Sequence, residues 1–270
     1  MAALVILLYG DILKALVQNW WTDPDYGHGF FVVPFSAFVL WRSRRRWMKT
    51  EIKPNNFGLI VMLGAIALLF LGSLGAELFT SRFSMLVLLA GMVIFLAGWK
   101  FVRAIWFPLG FLVFMIPLPV IIYNEVAFPL QLITSRFAAF LLGLAQVPVL
   151  RDGNILRFSN YSLGVVQACS GIRSLISLIV LAVIYLHFTE PRRWARYFLI
   201  ALAVPIAIIS NAVRIMVAGM MAHRFGPAAA EGFLHGFSGV VIFSASLTLI
   251  LTCHLVLNRL GSALRGAAHA

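Results

Sequence analysis

Long uncharged runs decide what this chain can become. FGLIVMLGAIALLFLGSLG (Phe57 to Gly75) and FSMLVLLAGMVIFLAGW (Phe83 to Trp99) hold no charged side chain. Hydrocarbon offers no water to satisfy backbone polar groups, so such runs must close their own hydrogen bonds as helices. Roughly 20 apolar residues cross the ~30 Å core of a bilayer. Further runs extend from Tyr26 to Trp41, Ala104 to Tyr123, Ser174 to Thr189, Tyr197 to Val213 and Gly232 to Asn258. The apolar opening segment, interrupted by Asp11 and Lys14, reads as a helix that is short, polar-flanked or missing residues at its start. Together these make about eight helices. The expected fold is an all-α polytopic integral membrane protein, with residues 1–270 as a single transmembrane domain.

Two places break the pattern. The Ala104–Tyr123 run carries Pro108, Pro117 and Pro119, which should kink it or end it early. Residues 124–168 read as an insertion that does not span. Apolar spacing is amphipathic to about Ala145, and Asp152-Gly153 then sits between short β-rich runs. This predicts an outer-face interfacial helix followed by a small β-hairpin, together forming a lid.

Charge sets the orientation. The net charge is +12, yet only 11% of residues are charged and 62% are hydrophobic. Nucleic-acid binding would need the basic residues on one solvated face. Here they fall in short loops: Arg42, Arg44, Arg45, Arg46, Lys49 and Lys53; Lys100 and Arg103; Arg192, Arg193 and Arg196; Arg259 and Arg265. Alternating spans put all of these on one side, the cytoplasm by the positive-inside rule. The opposite loops hold Asp23, Asp25, Glu77, Glu125, Asp152 and Glu231. The sequence lacks a Gly-rich phosphate loop, HExxH and paired CxxC, so nucleotide and zinc chemistry have no support. No cofactor and no nucleic-acid partner is expected; the lipid bilayer is.

Against that frame of bare helix centres stands VVQACSGIRSL, Val165 to Leu175. Cys169 falls just before a helix that enters from the outer side. Arg214 comes late in a helix that travels outward, and His235 early in the one that returns. A thiol, a guanidinium and an imidazole thus reach one depth on one face. Each alone has a bland reading: a packed thiol, a snorkelling arginine, an interfacial histidine. Jointly they fit a nucleophile, a cationic stabiliser and a base, because ionisable groups within spans face interiors or wet cavities. Asn211 lies one turn before Arg214 on the same face. It could hold the guanidinium or contact a substrate carbonyl. Arg173 and the start of its helix would favour a Cys169 thiolate, and the Ser170 and Gly171 amides could stabilise an oxyanion. Cys253, the other of two cysteines, lies toward the cytoplasmic end and cannot pair with Cys169. His28 could reach the site; Glu231, one turn before His235, could orient its ring, though a helix-capping carboxylate is the plainer reading; His187 and His223 are weaker candidates.

At these residues the sequence resembles the exosortases and the related archaeosortases. DPDYGHGFFVVP, FMIPLP, PLQLITSRFAAFLLGLAQVPVLRDGNIL, ACSGIRSL, PIAIISNAVRI and HGFSG follow in order from about Trp20 to Val240. The likeness is nearest to the proteobacterial type associated with exopolysaccharide gene clusters and biofilm surface sorting. The resemblance implies a catalytic trio at Cys169, Arg214 and His235. It also implies substrates anchored in the inner membrane by a C-terminal Pro-Glu-Pro motif, a transmembrane helix and a basic tail (PEP-CTERM proteins). The motif glutamate would need a cation, for which Arg173 and Arg136 are the candidates. The implied activity is that of a cysteine transpeptidase or protease, working through a thioester at the periplasmic face. The alternative is a non-enzymatic export or assembly component of a polysaccharide machine. A transport path would call for polar residues along whole helices, which the bare helix centres do not supply. Neither the acceptor nor the oligomeric state is legible.

Overall fold

The computed structural model describes residues 2–23, 25–159, 161–165, 171–235 and 238–267. The chain divides into two compact units, Met1–Tyr123 and Asn124–Ala270.

The first unit is built from helices α1 (Ala2–Thr22), α2 (Gly29–Arg42), α3 (Arg44–Trp47), α4 (Phe57–Leu74), α5 (Leu78–Ala97) and α6 (Trp99–Phe111). In it, α4 and α5 form a tight hairpin. A Cβ on Gly58 would collide with the Phe95 backbone nitrogen, so only glycine fits that crossing. Close backbone approach through small residues is how apolar helices gain contact energy in lipid. Glu77 caps α5 by accepting from the Phe79 and Thr80 amides. Burial would raise its carboxyl pKa, but those bonds outweigh it and hold the pKa below the usual range. Gly98, at φ 84°, ends α5 in a conformation that L side chains rarely adopt.

The prolines act as the sequence predicts. The Ala104–Tyr123 run is not one helix: α6 stops at Phe111, and a 3-10 turn covers Leu112–Met115 before Pro117 and Pro119. Its last carbonyls, left without intrahelical partners, find donors elsewhere in the unit. Trp20 Nε1 donates to the Met115 carbonyl at 2.9 Å, and His28 Nε2 lies 3.1 Å from the Phe114 carbonyl. Burial lowers the pKa of His28, which favours the neutral ring.

The second unit contains α7 (Val120–Leu144, entering from the first unit), strands β1 (Leu150–Asp152), β2 (Ile155–Arg157) and β3 (Ser162–Gly164), and helices α8 (Gly171–Thr189), α9 (Arg193–Phe225), α10 (Pro227–His235) and α11 (Ser238–Ala267). The hairpin expected at Asp152-Gly153 is present. Asp152 pairs with Ile155, and Gly153, at φ 61°, takes the first loop position, where a type II′ turn needs a positive φ. A third strand extends it into an antiparallel sheet in the order β1-β2-β3. Leu156 and Leu163 point inward onto Leu142 of α7 and Ala212, Ile215 and Ala218 of α9. Ser135 of α7 donates to the Gly153 carbonyl and fixes the turn. A separate core of Leu178, Ala182, Leu186, Leu199, Ala203, Ile206 and Ile250 joins α8, α9 and α11.

The protein is a multi-pass membrane protein. Among the described residues, five helices are long and apolar enough to cross: Phe57–Leu74, Leu78–Ala97, Val120–Leu144, Arg193–Phe225 and Ser238–Arg259. Gly29–Arg42 and Arg173–Thr189 are apolar but shorter. The expectation of about eight counted the N-terminal helix, which carries Asp11 and Lys14, and the proline-broken Ala104–Tyr123 run. The helix expected at the interface is 25 residues long and meets the length and composition of a span.

Candidate active site

The long helix α9 organises the candidate residues. From Arg193 to Arg214 it rises about 32 Å at 1.5 Å per residue, close to the thickness of a hydrocarbon core. Arg214 is therefore one bilayer thickness from the basic end of α9, and Phe158 of the loop after β2 packs close to Gly219 beyond it.

Arg214 is half-buried, and its Nε donates to Ser238 Oγ at 3.1 Å. Ser238, only 2% exposed, is the first residue of α11. His235 is the last residue of α10, three positions earlier. Arg214 is thus tied to the junction that carries His235. The His235 side chain, and Cys169 and Ser170 entirely, lie outside the described residues. Gly171 opens α8, and Arg173 is half-buried in its first turn. Arg136, in contrast, is exposed on α7.

One turn before Arg214, Asn211 is 7% exposed and lines a narrow cleft shared by α8, α9 and α11. Ser174, Ser210 and Ser246 contribute the other polar groups, and Leu178, Ala207, Ile242 and Phe243 the apolar wall. Sequence reading singled out Asn211 but missed Ser174, Ser246 and Ser238. A serine in an apolar helix has no signature of its own, since it bonds back to its own helix as readily as it serves a site. The one available signal was the place of Ser174 and Ser238 within ACSGIRSL and HGFSG.

The opposite end of the same helices holds a second polar cluster. Glu190, 1% exposed between α8 and α9, receives two hydrogen bonds from the Arg192 guanidinium at 2.8 Å each. Arg192 also donates to Asn258, and Arg196 donates to the Glu190 carbonyl. His254 lies with Nδ1 2.9 Å from the Tyr185 hydroxyl and Nε2 3.3 Å from Glu190 Oε2. The Arg192 hydrogen bonds dominate the Glu190 environment and hold its carboxyl at about 2. Cys253, half-buried beside His254, is the free thiol among the described residues. No group of three or more metal-ligating side chains occurs among the described residues.

A family model described as transmembrane exosortase (Exosortase_EpsH) matches residues 20–252. No curated protein and no solved structure matches the chain.

Proposed function

The chain belongs to the transmembrane exosortase family, and from that premise we propose that it is a cysteine transpeptidase or protease of the bacterial inner membrane. It cleaves C-terminal sorting signals of the Pro-Glu-Pro, helix and basic-tail kind at the periplasmic face, in the service of exopolysaccharide-linked surface sorting. The observation that carries the reading is the Arg214–Ser238 hydrogen bond. It ties a guanidinium, one bilayer thickness from the basic end of α9, to the start of the helix that follows His235.

The steps follow from the residues. The Cys169 thiolate attacks the scissile carbonyl and forms a thioester as the peptide C–N bond breaks. His235 takes the thiol proton and delivers it to the leaving amine, a role suited to a group that titrates near neutrality. Arg214 faces the developing oxyanion, with the Ser170 and Gly171 amides as further donors. Arg173 receives the motif carboxylate; Arg136, exposed on α7, is the alternative partner. The substrate helix docks laterally in the bilayer, which supplies proximity without a deep soluble cleft.

Coexpression with a tagged sorting-signal protein tests this by gel shift. Cys169→Ala should abolish processing and Cys253→Ala should leave it intact. Processing retained by Cys169→Ala would overturn the mechanism and favour an export or assembly role.

A further inference from the structure

Pro129 interrupts the hydrogen-bond ladder of α7 from inside the helix. It has no N–H to give the Glu125 carbonyl one turn earlier, so that oxygen is left without its helical donor. The same turn walls a groove. Asn124, Glu125, Phe128, Pro129 and Gln131 of α7 line it with Asn154, from the turn between β1 and β2, around a space of about 500 Å³. That is the size of a small-molecule pocket rather than of one or two waters.

The wall is held in place. Asn154 Nδ2 donates to Gln131 Oε1 at 3.0 Å, and the Ser135 hydroxyl donates to the Gly153 carbonyl at 2.9 Å, so the hairpin turn is pinned against α7. Asp152 and Arg157 of that hairpin are exposed and paired at 2.8 Å, and an open sheet edge is not tolerated in hydrocarbon. The groove therefore opens at the polar surface of the bilayer, not within its core.

The chemistry of the wall selects a ligand. The Asn154 amide donor is spent on Gln131, which leaves Asn154 its carbonyl oxygen as an acceptor. With the Asn124 side-chain oxygen and the Glu125 carboxylate, the wall is rich in acceptors, and among the described residues its charge is that of Glu125 alone. Such a wall suits a cation that brings several N–H donors. Phe128, 55% exposed, and Pro129 give it an apolar side that fits carbon, and an aromatic face attracts ammonium groups. A divalent metal fits less well, since hard cations gather many oxygens and one carboxylate supplies little charge.

We infer that this groove binds a primary ammonium on a short carbon chain, carried either by an ethanolamine headgroup of the bilayer or by a soluble amine. Its N–H donors meet the Glu125 carboxylate and the amide oxygens, and its carbon chain lies on Phe128. A quaternary ammonium carries the same charge but no donor, and binds poorly. None of these residues enters the cysteine mechanism proposed above, so the two readings stand or fall separately.

The test uses the whole protein in nanodiscs of phosphatidylcholine and phosphatidylglycerol, which hold no primary amine. Free ethanolamine should raise the melting temperature saturably, and choline at the same concentration should not. Glu125 is exposed, so Glu125→Gln should fold as wild type does, and it should weaken ethanolamine binding about 10-fold. Phe128→Leu should weaken it about 3-fold. The source is read separately, by native mass spectrometry from nanodiscs with equal phosphatidylethanolamine and phosphatidylcholine. Wild type should retain the ethanolamine lipid in excess if the bilayer supplies the ligand, and Glu125→Gln should lose that excess. A response to free ethanolamine without lipid preference assigns the soluble source and upholds the site.

An equal response to choline would overturn the inference, since charge alone would then account for binding. So would a Glu125→Gln response equal to wild type, or a melting shift with calcium and none with ethanolamine, which would make the groove a metal site. Silence toward free ethanolamine together with no lipid preference would overturn it as well. Processing by Cys169→Ala would sink the cysteine mechanism and leave this site untouched.

Discussion

The α8–α9–α11 bundle ends in two polar clusters that solve opposite problems. At the basic end, Glu190, Arg192, Arg196, Tyr185, His254 and Asn258 form a closed network in which the buried carboxylate accepts a bidentate pair of hydrogen bonds. At the other end, Arg214 donates to Ser238, and Asn211, one turn earlier, lines a narrow cleft. The first cluster spends its donors and acceptors on itself, as a structural brace between helices must. We propose that the second instead serves a substrate, through Arg214 and the cleft that Asn211 lines. Equal polarity in sequence therefore hides unequal roles.

That contrast is broken most directly at Cys169. Substituting alanine should reduce processing by about 10³-fold or more, as loss of an activated nucleophile does. Cys253→Ala, at the closed end, should not change it. Arg214→Ala should cost about 10²- to 10³-fold in processing, the magnitude expected for a lost oxyanion donor, and should shift the melting temperature little. Arg214→Lys should restore only part, because an ammonium cannot reproduce the guanidinium fork. If Arg214→Ala instead lost folded protein while the remainder worked normally, both ends would be structural.

Glu190→Gln should show the converse pattern. Losing the carboxylate removes the acceptor that Arg192 and His254 share, read as a lower melting temperature in nanodiscs, with activity per folded molecule retained. Acid sharpens this. The Glu190 carboxyl is lowered from 4.5 to about 2, chiefly by hydrogen bonds from Arg192. The unfolded chain therefore binds this proton more readily, and the ionised group stabilises the fold fully above about pH 4.5. Its contribution is lost as pH falls toward 2. The melting gap between wild type and Glu190→Gln should be flat from pH 7 to 5 and close below pH 4.5. A gap that stays constant into acid would remove the carboxylate from the brace.

Much of this was readable in advance where chemistry is one-dimensional. The uncharged Phe57–Gly75 run matches α4, and the Asp152-Gly153 turn closes its hairpin. Prolines 117 and 119 mark a break, but the sequence did not say how the 3-10 turn before them would be satisfied, because that depends on Trp20 and His28 reaching the Met115 and Phe114 carbonyls from far away in the sequence. Arg214 and Asn211 were singled out because a polar residue in an apolar helix is costly to carry. Glu190 was not singled out, since nothing local reveals that Arg192 folds back on it or that His254 and Asn258 arrive from a helix more than 60 residues away. Ser210 and Ser246 of the cleft were hidden for the same reason.

The finest probe of the contrast is Ser238→Ala. Its hydroxyl accepts from Arg214 Nε at 3.1 Å and sits at the start of α11, buried to 2%. A hydrogen bond to a charged group contributes about 1.5–3 kcal/mol, and Arg214 is only half-buried, so the smaller figure applies. If the bond serves to aim the guanidinium, processing should fall roughly 10-fold, an effect of about 1.4 kcal/mol on the barrier. The melting temperature should hardly move. Ser238→Thr, which keeps the hydroxyl, should recover most of the rate. A loss of stability in Ser238→Ala comparable with that of Glu190→Gln would instead make Arg214–Ser238 a second brace. The working end would then be reduced to the Asn211 cleft and the Cys169 segment.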